Sequence, residues 1–182
     1  MSTDQHTAFM SAYKDCHEPF MRYCSALAYS KMDAEDLVQD VLLSAYQNFD
    51  RIEKKSELLH YLVRSARNRA VSEWRKRKKE VNLTDAFTQR LSSKGASSEM
   101  LIDIKLLYSA LDTLPSAQRD AIILFEITGF SMKEIADIQM STEGAVKTLV
   151  SRGRAKLKHI MGERDSHNSA AYVLNALKSI AL

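Results

Sequence analysis

Apolar residues recur at helical spacing along most of this chain, and few segments alternate apolar and polar positions. Over residues 7–30 the spacing predicts one or two helices. Because proline fits poorly inside a helix, we expect a break, with Pro19 in the first turn of the second piece. Residues 33–49 show the clearest amphipathic pattern, with Asp33 as a candidate N-cap and Leu43 as an apolar interruption of the polar face.

A third helix is predicted from about Ser56 to Lys79. Its inward positions are Leu59, Leu62, Val63, Ala66, Ala70 and Trp74. Residues 81–99 then lose the helical period and gather serine, threonine, glycine and glutamine, a composition typical of a linker.

Residues 100–128 predict two further helices. The first begins near Met100 and ends before Pro115, because a proline steers the residue ahead of it away from helical conformation. The second covers residues 116–128 and ends at Gly129.

Residues 131–158 predict a helix-turn-helix unit, in which a longer, basic second helix would enter the DNA major groove. Ser131 and Glu134 have the spacing of a capping box at the start of the first helix. The second helix is expected to start near Ser141 or Thr142. Its predicted inward residues are Ala145, Val146, Leu149 and Val150.

Residues 163–182 begin with a polar stretch and end in a short predicted helix. The apolar stripe of that helix is Ala170, Val173, Leu174, Leu177, Ile180 and Ala181. Two alternatives stay open for it: it packs back on the second domain, or it docks a regulatory protein.

These elements predict an all-α protein, with two small helical domains joined by a flexible linker and a helix-turn-helix in the second domain. The predicted parts are a first domain at 1–80, a linker at 81–99, a second domain at 100–162 and a C-terminal extension at 163–182. The length of 182 residues and the 45% apolar fraction suit two small packed cores.

Charge is uneven along the chain although the formal net charge is only +3. Residues 64–79 contain eight cationic side chains and only one acidic side chain, Glu73. The cations are Arg64, Arg67, Arg69, Arg75, Lys76, Arg77, Lys78 and Lys79. Such a block attracts polyanions such as nucleic acid, even on a nearly neutral protein.

Several classes of function are not expected. Cys16 and Cys24 lie on an apolar stripe without zinc-ligand spacing, so two core cysteines are favoured over a metal site. No apolar run is long enough to span a bilayer and no signal peptide is visible, which favours a cytoplasmic protein without membrane insertion. The absence of a nucleophile–base pair and of a phosphate-binding glycine loop argues against an enzyme, and no cofactor or metal is implied.

Three segments, taken in order over about residues 8 to 161, resemble the extracytoplasmic-function (ECF) sigma factors, the smallest relatives of the bacterial housekeeping sigma factor. They are residues 33–41, residues 61–68 with 75–77, and a third set formed by Leu114, Pro115, Arg119, residues 134–136 and the helix after Ser141. The resemblance implies an alternative sigma factor, which binds core RNA polymerase and directs promoter recognition, DNA melting and transcription initiation. It also implies an anti-sigma factor as inhibitor.

The resemblance assigns a role to each segment. The first implies docking on the clamp helices of the beta-prime subunit, through Glu35, Asp36, Gln39, Asp40 and Leu43. The second implies capture and melting of the minus-ten element, through Tyr61, Arg64, Arg67, Asn68, Arg75, Lys76 and Arg77. The third implies reading of the upstream element, with the flap of the beta subunit as a further contact, through Lys133, Lys147, Thr148, Ser151, Arg152 and Arg154.

The sequence departs from the family pattern in the recognition helix. Ala145 and Leu149 stand where relatives often carry a hydroxyl and an arginine, and an arginine on guanine contributes roughly 1–3 kcal/mol of discrimination. Gly153 replaces a usual alanine, at a cost of about 1 kcal/mol in helix propensity. Ala145 and Leu149 motivate one alternative, a sigma subunit with weak readout that a DNA-bound or RNA-guided partner recruits to its targets. A separate alternative is a stand-alone helix-turn-helix regulator, which would explain residues 100–161 but not the acidic motif at residues 33–41.

Overall fold

The chain divides into two compact units, Met1–Leu83 (unit 1) and Thr84–Leu182 (unit 2). The computed structural model describes residues 3–29, 31–52, 57–76 and 97–161, with the side chains of residues 3 and 74–76 excepted. Almost all of the predicted linker at 81–99 and the whole predicted extension at 163–182 therefore lie outside the described residues.

Unit 1 is a three-helix arrangement in which each helix packs against the other two. Its helices are α1 (Thr3–Ala28), α2 (Ala34–Gln47) and α3 (Leu58–Lys76), with a 3₁₀ turn at Phe49–Arg51. Large side chains that are almost completely buried form its core. They include Phe20, Tyr23, Leu27, Leu58 and Leu62.

The predicted break at Pro19 is wrong, because α1 continues through that residue. A proline inside a helix removes one backbone hydrogen bond and costs about 3 kcal/mol. Several residues that follow it, among them Phe20 and Leu27, are fully buried in the core of unit 1. Packing of one long apolar stripe outweighs the local cost, and local sequence reasoning has no access to that term.

Predictions for single positions in unit 1 can also be compared with the structure. Asp33 caps α2 as predicted, since its Oδ1 accepts the backbone N–H groups of Glu35 at 2.7 Å and Asp36 at 3.1 Å. At the start of α3 the predicted inward residue Leu59 is only half-buried, and its neighbour Leu58 is fully buried instead. The side chain of Trp74 lies outside the described residues.

Unit 2 is organised around one long helix. Its elements are α4 (Ser98–Asp112), α5 (Ser116–Ile122), a π-helical segment (Ile123–Thr128), α6 (Met132–Gln139) and α7 (Glu143–Met161). Helix α7 packs against α4, α5 and α6. The buried residues of α7 are Val146, Val150, Gly153 and Leu157.

The single helix predicted over residues 116–128 changes its winding part-way. From Ile123 it follows π-helical geometry, and Gly129 ends it with φ +87°, a left-handed conformation that suits glycine. Almost every residue of the π-helical segment is buried, and only Phe125 is half-exposed. The α-helical residues just before it, Arg119 to Ile122, are buried as well, so this stretch is a core helix surrounded by protein and not an amphipathic surface helix.

The predicted fold class is confirmed, since the described residues are helical and contain no strand. One inward assignment in α7 is wrong: Ala145 is exposed, while Val146 and Val150 are buried. With 3.6 residues per turn, Ala145 lies about 100° around the helix axis from Val146, which places it outside the buried stripe formed by Val146, Val150 and Leu157.

Candidate polymerase and nucleic-acid interfaces

The outer face of α2 carries acids, an amide and one large apolar side chain. Glu35, Asp36, Gln39 and Asp40 are all exposed, and Leu43 beside them is 58% exposed. On the opposite side Leu37, Val38, Val41 and Ala45 are buried, which fixes the rotation of the helix. The sequence-predicted polymerase residues therefore share one solvent-facing surface, defined here as the α2 face.

One member of the α2 face is already paired within the chain. Asp40 Oδ2 lies 2.7 Å from Nη2 of Arg69 on α3, and both side chains are about half exposed. Such exposed ion pairs contribute little to stability, typically about 0–1 kcal/mol. Sequence reasoning counted Arg69 only as part of the basic block, because the helix packing that brings it to Asp40 is a tertiary feature.

Helix α3 presents the predicted minus-ten residues. Arg64 and Asn68 are exposed, four positions apart on one helical face, and Arg67 is half-buried beside them. Tyr61 is half-buried. The side chains of Arg75 and Lys76, and the whole of Arg77, lie outside the described residues.

The helix-turn-helix of unit 2 is built by local hydrogen bonds. Ser131 Oγ accepts the N–H of Glu134 at 3.3 Å, and Glu134 Oε2 accepts the N–H of Ser131 at 2.8 Å, which completes the predicted capping box. Met140 ends α6 with φ +51°. Thr142 caps the start of α7, since its Oγ1 accepts the N–H of Ala145 at 3.2 Å.

The outward face of α7 is small and polar, with cations around it. Lys147, Thr148, Ser151 and Arg152 are exposed, as is Lys133 on α6. Thr148 Oγ1 donates to the carbonyl oxygen of Gly144 at 2.9 Å, which fixes the side-chain rotamer. The predicted upstream-element residues up to position 152 thus lie on solvent-facing surfaces of unit 2.

Two cations further along α7 contact unit 2 itself. Lys156 Nζ donates to the carbonyl oxygen of Thr113 at 3.1 Å. The guanidinium of Arg154 forms an ion pair with Glu126 in the π-helical segment, and it lies over the ring of Phe125, 5.2 Å from the ring centroid. No local pattern indicates Glu126 as the partner of Arg154, because the two residues are 28 positions apart in the chain.

The comparisons with known proteins agree with this two-part layout. Residues 12–80 match Sigma-70 region 2, and residues 104–157 match Sigma-70 region 4. The chain is 36% identical over 129 residues to the ECF RNA polymerase sigma factor EcfG of Rhodopseudomonas palustris, which covers 70% of this chain and 71% of that protein. It is 30% identical over 148 residues to the RNA polymerase sigma-E factor of Streptomyces avermitilis, with 81% and 82% covered.

Among solved structures, the chain is similar to the sigma factor RpoE from Bartonella quintana, crystallised with the anti-sigma factor NepR. The TM-score is 0.63 at 29% sequence identity, covering 90% of this chain and all of that one.

The chain belongs to the ECF RNA polymerase sigma factors. It is an alternative sigma factor, and sigma factors bind core RNA polymerase and promoter DNA. Sigma factors are not enzymes. Among the described parts of this sigma factor, no helix is both long and apolar enough to cross a membrane.

The two cysteines of the sigma factor are core residues, as predicted. Cys16 and Cys24 are free and buried in unit 1. Burial raises the pKa of both thiols, and burial together with the charges of Cys24 and Cys16 raises the pKa of Tyr13 to about 12. In the described ranges no group of three metal-ligating side chains comes together.

Gly153 has a packing role that sequence reasoning missed. A Cβ on this residue would lie 2.8 Å from Cγ1 and 3.2 Å from Cδ1 of Ile122 on α5. The glycine thus lets α7 approach α5 closely. The helix-propensity cost noted from the sequence is balanced by this contact, which no local pattern reveals.

Proposed function

We propose that the α2 face docks this sigma factor on the clamp helices of the beta-prime subunit, and that unit 2 contacts the flap of the beta subunit. The observation that carries the docking proposal is the exposed Leu43, which lies one helical turn after Gln39 and Asp40 at the end of the polar set. An isolated apolar side chain with a charged rim suits a partner surface that is basic around an apolar spot.

In the same proposal, α3 receives the minus-ten element. Arg64 and Arg67 provide an electrostatic track for the backbone, Asn68 bonds a base edge and Tyr61 stacks on an extruded base. Arg75, Lys76 and Arg77 would extend the track. Helix α7 meets the upstream element, with Lys147 and Thr148 early enough to reach bases, and Lys133, Ser151 and Arg152 at the sugar-phosphate backbone.

Co-purification of the tagged chain with core RNA polymerase tests the docking surface. We expect the native chain to bind and the double variant Asp36→Arg with Gln39→Ala to lose binding. The matched control is Asp15→Arg with Ser11→Ala, which makes the same charge change at exposed positions of α1. Equal binding by the α2 variant and the native chain would exclude the α2 face as the docking surface.

A partner-recruited sigma factor is the second candidate, and Ala145 and Leu149 favour it. Ala145 is exposed and Leu149 half-buried, so neither supplies the forked donor that reads guanine. A DNA-bound or RNA-guided partner would then choose the target. We expect Leu149→Arg to strengthen binding to promoter DNA. If Leu149→Ala abolishes promoter choice by the holoenzyme, the native residue already reads DNA and this candidate fails.

Regulation by an anti-sigma factor is part of the proposal. The relative from Bartonella quintana was solved with the anti-sigma factor NepR. By analogy we propose that a protein of this class sequesters the chain in the cytoplasm, away from core polymerase. The stand-alone regulator has no use for unit 1, whose residues match Sigma-70 region 2.

A further inference from the structure

Arg154 lies on the flank of α7 and not on its outward face. At 100° per residue, Arg152 is about 40° around the helix from Thr148, whereas Arg154 is about 120° from it. Arg154 is also four positions after the buried Val150, so the two share one side of the helix. This direction aims its guanidinium at the π-helical segment.

The partner of Arg154 is a carboxylate that needs a cation. The side chain of Glu126 is only 10% exposed, and all of its neighbours in the π-helical segment except Phe125 are buried. A buried carboxylate is costly unless it is paired. Both Nε and Nη2 of Arg154 reach the same oxygen, Oε1, so the guanidinium is held by two atoms and its direction is fixed.

The ring of Phe125 supplies a second restraint. The guanidinium carbon of Arg154 lies 5.2 Å from the centroid of that ring, within the range of cation–π attraction. Phe125 and Glu126, two consecutive residues of the π-helical segment, thus both contact the guanidinium of Arg154 on α7. Arg152 lies two residues before Arg154 on the same helix and is exposed. In the described part of the chain it has no ion pair and no hydrogen bond to another residue.

We propose that Arg154 is a positioning residue for promoter reading: Glu126 and Phe125 hold its guanidinium, this contact sets the orientation of α7 on unit 2, and Arg154 is not one of the phosphate contacts of α7. The inference rests on the proposed placement of α7 on the upstream element. It divides two arginines of one helix into different tasks, with Arg152 on the DNA and Arg154 on the protein.

The test uses the full chain in its complex with core RNA polymerase. The probe is a promoter duplex that the native holoenzyme selects from a pool with a randomised upstream half, compared with the same duplex carrying a scrambled upstream half. Two quantities are measured for each variant: the slope of log affinity against log salt, and the ratio of the affinities for the two duplexes. Circular dichroism first identifies a temperature at which each variant is folded.

The matched pair is Arg154→Gln and Arg152→Gln. A lost phosphate contact lowers the magnitude of the salt slope by about 0.9. We expect that loss for Arg152→Gln and an unchanged slope for Arg154→Gln. A misaligned α7 loses at least one base contact, so Arg154→Gln should lower the affinity ratio by about fivefold or more. A residue that only stabilises the fold would leave this ratio unchanged in folded protein.

Two further variants keep the proposal falsifiable if Arg154→Gln does not fold. Glu126→Gln removes a negative charge from a DNA-binding unit. If charge alone mattered, this variant would bind promoter DNA more tightly. If Glu126 positions Arg154, the variant instead has a lower ratio of affinities for the selected and scrambled duplexes. Arg154→Lys keeps the charge, which suffices for a phosphate, but it loses the planar fork. We expect Arg154→Lys to behave like Arg154→Gln.

Each alternative result has a distinct meaning. A slope loss in Arg154→Gln equal to that in Arg152→Gln, restored by Arg154→Lys, would make Arg154 a phosphate contact and overturn the inference alone. Tighter promoter binding by Glu126→Gln would also overturn it. If neither arginine variant changes the slope or the ratio, α7 does not lie on the DNA, and the proposed function of unit 2 fails together with the inference.

Discussion

Burial determines the chemistry of Cys16 and Cys24. Their raised pKa values mean that the folded state keeps the thiol protons to higher pH than the unfolded state does. A thiolate is the reactive form, and burial disfavours it at both positions in the folded sigma factor. The apolar spacing of the sequence was enough to predict this outcome, because helical periodicity and burial coincide along α1.

The first prediction concerns Cys24 and pH. An unfolded thiol ionises near pH 8.5, whereas buried Cys24 stays protonated, so its stabilising contribution is complete below pH 8.5 and is lost as the pH rises towards the folded pKa. We expect the free energy of unfolding to fall above pH 8.5 by up to about 1.4 kcal/mol per pH unit for this group.

Urea unfolding between pH 6 and pH 10 checks that prediction. Cys24→Ala should be less stable at every pH because it leaves a small cavity, but its decline above pH 8.5 should be shallower than that of the native chain. Parallel declines in the two proteins would show that Cys24 ionises equally in the folded and unfolded states.

At the scale of elements, helix starts are the features that sequence reasoning located best. The caps at Asp33 and Ser131 are formed by residues next to the groups they satisfy, so local spacing reveals them. Pro19 and the π-helical segment show the opposite case. Both depend on how a helix packs against others, and both were predicted wrongly or not at all.

The second prediction tests the capping box of α6. Ser131→Ala removes the acceptor for the N–H of Glu134, and we expect a loss of about 1 kcal/mol in the free energy of unfolding. Ser131→Thr keeps the hydroxyl, which accepts from the N–H of Glu134 and donates to Glu134 Oε2 at 2.7 Å, and it serves as the control, with a loss below about 0.5 kcal/mol. Urea denaturation followed by circular dichroism gives both values. Equal losses in the two variants would contradict a capping role for the hydroxyl.

The third prediction tests the close approach of α7 and α5. Gly153→Ala gains about 1 kcal/mol of helix propensity but overpacks against Ile122, at a cost of about 1–3 kcal/mol. We expect a net destabilisation of about 1 kcal/mol. In an Ile122→Ala background the overpacking is relieved, so the same change should be stabilising. A double-mutant cycle of unfolding free energies measures this sign reversal, and additivity would refute the contact.

For the whole molecule, the distribution of charge matters more than its sum. The net charge is +3, yet one acidic surface lies on α2 and a basic one on α3 of the same unit. Two oppositely charged surfaces of this kind suit a protein that binds a protein partner and a polyanion at the same time. This layout agrees with membership in a family whose members bind core RNA polymerase and promoter DNA.

The fourth prediction concerns salt. Binding of promoter DNA by the holoenzyme should weaken steeply as salt rises, because phosphate contacts release counterions. Arg64→Gln with Arg67→Gln should lower the magnitude of the log–log slope by about 1.4, the value for two contacts with a single strand. The control, Lys14→Gln with Arg51→Gln, removes two exposed cations elsewhere in unit 1 and should leave the slope unchanged. Equal slopes for the two double variants would remove α3 from the DNA interface.

Residue spacing and motif order were sufficient to predict the helical fold class, the helix caps at Asp33 and Ser131, the burial of the two cysteines and the sigma-factor family. Each of these depends on residues close together in the chain, or on a motif order that periodicity and spacing preserve. Tertiary structure alone decided that α1 runs through Pro19, that Asp40 meets Arg69 and that Glu126 holds Arg154. These features join residues distant in sequence, and their free energy comes from burial and pairing, which exist only after the helices have packed.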